Sequence, residues 1–309
     1  MRILYICDKE TFDTKMSRVR FHGIAALAKI ADVTYSGVGW DNWNLELTVD
    51  ENIDKIYSET NLDWIIAYRP MEIKGIEFSK VKKCVRYNEM WNVRMTKAEI
   101  RHSGADLVVC HHLNDVKKYH EVDTKFVNIS HCAEKTIYKD YGLKKEYDVL
   151  LTGAMSRHYP FRKRLKKAVR ALKSNGFKCK VLSHPGGNLK KSRGATLIEY
   201  AKELNKSKIA LTCSSKYKYR LGKYCEIPMC GAILAGDLPD EDEEFFKKFM
   251  LVIGTDDSDE EIVKKISDCI KDEDRLERLR IEGLKMNSDY TQEDYAKRLL
   301  KELEDFDES

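Results

Sequence analysis

No run of about 18 consecutive apolar residues occurs in the 309-residue chain, so no helix that crosses a membrane is expected. The opening M-R-I-L-Y-I-C-D turns polar too soon for a secretory signal and reads as a first buried strand. None of the nine cysteines stands in a C-x-x-C pair, and their number is odd. That argues against a disulfide framework and for reduced core thiols in a cytoplasmic protein. Internal repeats and low-complexity tracts are also missing. Acidic residues are scarce in one block. Residues 151–230 hold 20 basic and 3 acidic side chains, against 23 of each in 1–150 and 12 basic to 25 acidic in 231–309. The middle block therefore suits something negative, either a nucleic acid or a diphosphate. A solvated basic helix over 162–173 (R-K-R-L-K-K-A-V-R-A-L-K), with a compensating acidic tail, is the plain reading of part of that charge.

A hydrophobic content of 42% over 309 residues is enough for two buried cores. Apolar, β-branched runs predict strands over 2–7, 32–36, 63–68, 83–87, 106–110 and 125–129. Helices are expected over 15–30, 96–102 and 114–121, with 37–60 left as an ordered loop around Trp40 and Trp43. The pattern restarts at 147–152, followed by a helix over 161–174 opened by Pro160. Strands over 177–182, 208–213, 232–235 and 250–253 come next, with helices over 196–205, 259–271, 273–286 and 292–304. Strands alternating with helices imply an α/β fold with mostly parallel sheets. The restart near residue 145 implies two Rossmann-like domains facing a cleft.

The most informative segment is 223–239, K-Y-C-E-I-P-M-C-G-A-I-L-A-G-D-L-P. An apolar strand and a basic, aromatic loop (214–222, S-S-K-Y-K-Y-R-L-G) precede it, and a short helix, a glycine and a second strand lie within it. The loop falls at the carboxyl end of a strand, where open α/β sheets bind ligands. Its lysines and arginine favour phosphate. Glu226, the only acid of residues 214–230, can accept two hydrogen bonds from a diol such as a ribose. Phosphate with ribose indicates a nucleotide. A second contribution is expected from Gly153, after the strand at 147–152. There the backbone is open to a phosphate and Arg157 or Arg162 can clamp a diphosphate. Tyr217 or Tyr219 can stack on a base or sugar, and the Gly-rich 183–188 (S-H-P-G-G-N) can line a base pocket.

The 223–239 segment resembles the donor motif of GT-B glycosyltransferases of the group 1 type: a Glu, a small-residue turn, C-G and an apolar strand. The likeness is strongest from about 147 to 303. It implies an acceptor-side domain over 1–145, a nucleotide-sugar domain over 146–288 and a C-terminal helix, 289–309, packing back on the first domain. It implies transfer of a sugar from a UDP- or GDP-type donor to a hydroxyl on a glycan or glycoconjugate. Arg220 and Lys223 match the cations that neutralise the leaving diphosphate, so no metal and no further cofactor are expected. Glu226 takes the ribose role. The chain departs from the pattern in one place. Lys218 stands eight before Glu226, where retaining members commonly carry a first Glu, and the stereochemistry stays open.

The first domain should supply the acceptor site and the base. Glu89 and His131, each after a strand, are the candidates. A zinc reading of His111, His112, His131 and Cys132 fits no closed Cys/His spacing. Two other classes remain open: a nucleic-acid-binding protein using the 151–230 block, and a nucleotide-sugar binder or epimerase on the same architecture. Peripheral contact with a membrane through a basic face is compatible with all of these.

Overall fold

The computed structural model describes residues 1–14, 18–69, 73–119, 121–182 and 197–308. The chain divides into two compact units, Met1–Ser130 with Gln292–Ser309, and His131–Thr291.

The first unit is built on six strands, β1 (Arg2–Ile6), β2 (Asp32–Ser36), β3 (Trp64–Tyr68), β4 (Lys82–Tyr87), β5 (Leu107–Cys110) and β6 (Lys125–Asn128). They lie in the order β2-β1-β3-β4-β5-β6, all parallel. A parallel sheet covered on both faces needs apolar residues pointing both ways. Accordingly Ile3, Leu4 and Tyr5 of β1, and Trp64, Ile65, Ile66 and Ala67 of β3, are completely buried. Its helices are α1 (Lys9–Thr14), α2 (Arg18–Leu27), α3 (Val49–Thr60), α4 (Val93–Ser103) and the single turn α5 (Leu113–Val116). Helix α3 lies in the segment expected to be loop. Thr48 caps it, with Glu51 closing the box, and Ile53 and Ile56 anchor it to the core.

The second unit holds β7 (Tyr147–Leu151), β8 (Cys179–Val181), β9 (Ser207–Leu211), β10 (Ile233–Gly236) and β11 (Leu251–Val252) in the order β11-β10-β9-β7-β8, again all parallel. Its helices are α6 (Pro160–Ser174), α7 (Leu197–Asn205), α8 (Lys223–Met229), α9 (Glu243–Lys247), α10 (Asp259–Lys271) and α11 (Glu273–Met286). Residues 131–145 belong to this unit, because Ala133 and Tyr138 pack in its core with Leu150, Tyr200 and Tyr224. The Ala133 amide donates to Tyr290 O at 2.8 Å, so the segments entering and leaving the unit run side by side.

The last helix, α12 (Gln292–Asp307), returns to the first unit. Gly23 of α2 sits so close to the Tyr295 ring that a methyl group there would stand 2.6 Å from it. The buried Arg86 donates through Nε to Tyr295 Oη at 2.8 Å. Phe306 meets Trp64 edge-on at 5.2 Å, and Asp307 accepts from the Trp64 indole and pairs with Lys82. All nine cysteines are free thiols.

Both sheets share one connectivity. The first strand sends the chain to one side for the second strand and to the other side for the third. The carboxyl ends of β1 and β3, and of β7 and β9, are therefore the two topological switch points, where doubly wound sheets open a crevice.

Candidate functional site

The switch point of the second unit is framed by two glycines whose backbones only glycine adopts readily. Gly153 ends β7 with φ +106°, and Gly236 ends β10 with φ +153°. A side chain on Gly236 would meet Thr212 O at 2.2 Å. A side chain on Gly153 would stand 2.6 Å from the Arg162 guanidinium. The space left by Gly153, expected to admit a phosphate, is thus filled by the protein's own arginine.

Arg162, expected to clamp a diphosphate, is buried. It donates to Ala154 O at 2.6 Å and to Thr212 Oγ1 at 3.3 Å, and it lies 4.2 Å over the Tyr159 ring. Its role here is to tie the loop after β7 to the end of β9. Arg157 is exposed on the same loop. Lys216 N donates to His158 O at 2.9 Å, and the His158, Tyr217 and Tyr219 rings stack in series at 5.9 and 5.5 Å. The two loops therefore form one surface. The 183–188 segment lies outside the described residues.

The 214–222 loop is wound tightly. Ser215 and Lys218 take left-handed backbones, φ 72° and 57°, which non-glycine residues seldom adopt away from functional sites. The twist turns Arg220 inward. It is fully buried, 4.1 Å over Tyr290, flanked by Phe245 and Phe246, and paired with Asp242 at 2.8 Å. The expectation that Arg220 meets a diphosphate does not fit this packing. Its aromatic neighbours stand far from it in sequence and give no local signal.

Lys218 takes the more open position. Its ammonium pairs at 3.1 Å with Asp237, at the end of β10. Asp237 is itself buried and accepts from Ser214 N at 2.9 Å and from Ser214 Oγ at 2.5 Å. Asp237 is the acid that sequence reasoning missed. It lies inside the quoted A-G-D-L-P run, but only the fold brings it to Lys218.

Helix α8 carries Glu226 between the fully buried Cys225 and Ile227, and leaves the residue 5% exposed. Gly222 opens the space above it. A methyl on Gly222 would stand 3.2 Å from Glu226 Oε1 and 3.9 Å from His131 Nδ1. The two side chains thus converge on one point. His131, expected as a base of the first domain, belongs to the second unit. Its carbonyl accepts from the Cys225 thiol at 3.1 Å. Lys223 opens the helix, its ammonium 5.1 Å over the Tyr200 ring.

The first unit presents its own switch-point cavity of about 550 Å3, lined by Cys7, Asp8, Gly37, Trp43, Tyr68 and Lys74 among others. Arg69, after β3, pairs at 3.2 Å with the buried Glu99, which also accepts from Tyr87 Oη at 2.9 Å. Burial, with the Asp115 charge nearby, holds the Glu89 carboxyl above its usual range. Burial, reinforced by Arg86, lowers the His111 imidazole to about 3 and keeps it neutral. Among the described residues no three His, Cys, Asp or Glu side chains converge to hold a metal ion. No described helix is long and apolar enough to cross a membrane.

Residues 158–301 match the protein family described as "Glycosyl transferase-like". No curated protein sequence matches the chain. Solved structures match over its whole length. A glycosyltransferase from Rickettsia africae ESF-5 superposes with a TM-score of 0.68 at 14% identity, covering 99% of this chain and 98% of that one. Sucrose-phosphate synthase from Thermosynechococcus elongatus gives 0.67 at 12% identity, with 100% of each chain covered. Anabaena HepE, solved in complex with UDP, gives 0.60 at 11% identity over 99% of this chain and 100% of that one. Residues 158–301 thus carry a glycosyl transferase-like region, and the chain as a whole, with both units doubly wound, has the GT-B fold.

Proposed function

We propose that the second unit holds a nucleoside diphosphate sugar and that the first supplies a hydroxyl acceptor. The observation that carries this reading is Glu226, a nearly buried carboxylate under the space opened by Gly222, beside a basic loop at a switch point. A carboxylate so placed accepts both hydroxyls of a ribose. Lys218, oriented by Asp237 and Ser214, donates to the diphosphate with Lys223 and Arg157. Tyr217 stacks on the base or the sugar. UDP is the expected nucleotide, since a structural neighbour of the same fold binds it.

In the transfer step the bond between the anomeric carbon and the diphosphate oxygen breaks. The acceptor oxygen bonds to that carbon, and its proton passes to a base. Negative charge grows on the leaving oxygen, and cations already aimed at it lower the barrier without reorganising. Because side-chain ammonium groups fill that role, the reaction is expected to proceed without a metal ion. Glu89 is the proposed base. Its raised pKa brings it closer to working pH, where proton transfer is most effective. The acceptor belongs to the glycan or glycoconjugate class, and the cavity edged by Asp8 and Lys74 is its proposed seat.

The test is release of nucleoside diphosphate from a panel of UDP- and GDP-sugars, with and without oligosaccharide acceptors and with EDTA present. Acceptor-dependent release from a UDP-sugar, indifferent to EDTA, is expected. Glu89→Gln should lower kcat about 10²-fold or more with KM little changed. A changed sugar without any acceptor would instead indicate an epimerase. Release abolished by EDTA would overturn the metal-free step.

A further inference from the structure

Helix α6 has seven basic side chains and no acidic one in its 15 residues. Two of them, Arg162 and Arg164, are engaged: Arg162 in the loops described above, Arg164 with Asp259 at 3.1 Å and with Thr255 O. Lys167 edges a shallow groove with Asp259 and Glu260 of α10. The remaining four, Lys163, Lys166, Arg170 and Lys173, recur at i, i+3, i+7 and i+10. They fall within about 80° of the helix circumference and about 15 Å of its length. The core-facing Phe161, Leu165, Val169 and Leu172 lie on the opposite side. Among the described residues none of the four has an ion pair or a side-chain hydrogen bond. Several other cations of this unit are paired: Lys180 with Glu203 at 2.5 Å, Lys208 with Asp148 at 2.8 Å, Arg280 with Asp140 at 3.0 Å. What sets the α6 face apart is alignment: its four cations stand in one straight row without an ion pair among the described residues.

We propose that this face docks the protein on an anionic lipid bilayer. A row of this kind fits a flat array of headgroups that can gather beneath it, and each cation should strengthen partitioning roughly fivefold. The face has no exposed large apolar side chain, so attachment is electrostatic and does not insert. Nucleic acid is the poorer fit. Three of the four cations are lysines, without the guanidinium fork, and the face has no aromatic ring on which a base could stack.

The test is co-sedimentation with vesicles of phosphatidylcholine alone or with about a third phosphatidylglycerol, at ionic strengths from about 0.1 M to about 1 M. The full chain is expected to pellet only with anionic vesicles and to come off at high salt. Lys163→Glu with Lys166→Glu, Arg170→Glu and Lys173→Glu should stay in solution, with an unchanged thermal midpoint and unchanged nucleotide binding. The milder Arg170→Gln with Lys173→Gln should weaken partitioning roughly 25-fold. Failure of the wild-type chain to bind anionic vesicles would overturn the proposal. So would equal binding by the fourfold variant, or binding of duplex DNA or RNA in place of vesicles. Because the variants leave α8 and its loop intact, these outcomes do not depend on the donor-site reading.

Discussion

Gly153, Gly222 and Gly236 lack a side chain for three different reasons. Gly236 yields to a backbone carbonyl that cannot move, Gly153 to an arginine head, and Gly222 to the Glu226 and His131 side chains. Gly153→Ala should cost about 1–3 kcal/mol for its backbone conformation, read as a lower urea midpoint. Gly222→Ala should leave that midpoint nearly unchanged and raise the donor KM, because the added methyl presses on Glu226. Lys218→Gln should weaken nucleoside diphosphate binding about tenfold, as loss of a charge-assisted hydrogen bond does, and leave nucleoside binding unchanged. Glu226 was recognisable in the sequence as the one acid of residues 214–230. Asp237 and Arg220 were not. Their partners, Lys218 and Tyr290, are set by how a loop with two left-handed residues winds and by where a distant segment returns.

All eleven described strands were legible in the sequence to within a residue or two at most ends. Strands buried on both faces read as unbroken apolar runs. Helices depended on their stop signals. Helix α3 was not legible although Thr48 and Glu51 spell a capping box, because the tryptophans before it suggest an ordered loop. Thr48→Ala should cost about 1 kcal/mol, measured as a drop in urea midpoint. Helix α12 was legible in its place in the sequence, but its anchors were not. Tyr295→Phe removes the hydroxyl that accepts from buried Arg86, and should cost about 1–3 kcal/mol. Leu299→Ala, at a fully buried position of the same helix, should cost about 2–5 kcal/mol.

On the scale of the whole molecule, buried thiols and phenols set the alkaline limit. Burial pushes Cys84 from 9.0 to about 12 and Cys179 from 9.0 to about 11. Tyr35 rises from 10.0 to about 12, chiefly through burial. In the unfolded chain these groups ionise first, so the native state binds more protons between the two values. Their stabilisation is complete below pH 9 and disappears as pH rises toward 12. Urea midpoints should therefore fall steadily above pH 9. Two doubly wound units were legible because the apolar pattern restarts once. The chain's crossing points were not, since residues 131–145 carry no helix or strand and join the second unit through packing and scattered hydrogen bonds such as Ala133 N to Tyr290 O.

The most direct test of the central claim is calorimetric titration of UDP and of uridine into the wild-type chain and into Glu226→Ala. The wild type should bind both, UDP the more tightly, and the variant should lose at least tenfold for each, because the ribose contact is common to them. Equal affinities in wild type and variant, or no binding of UDP, GDP or their sugars to the wild type, would contradict a nucleotide-sugar site at Glu226.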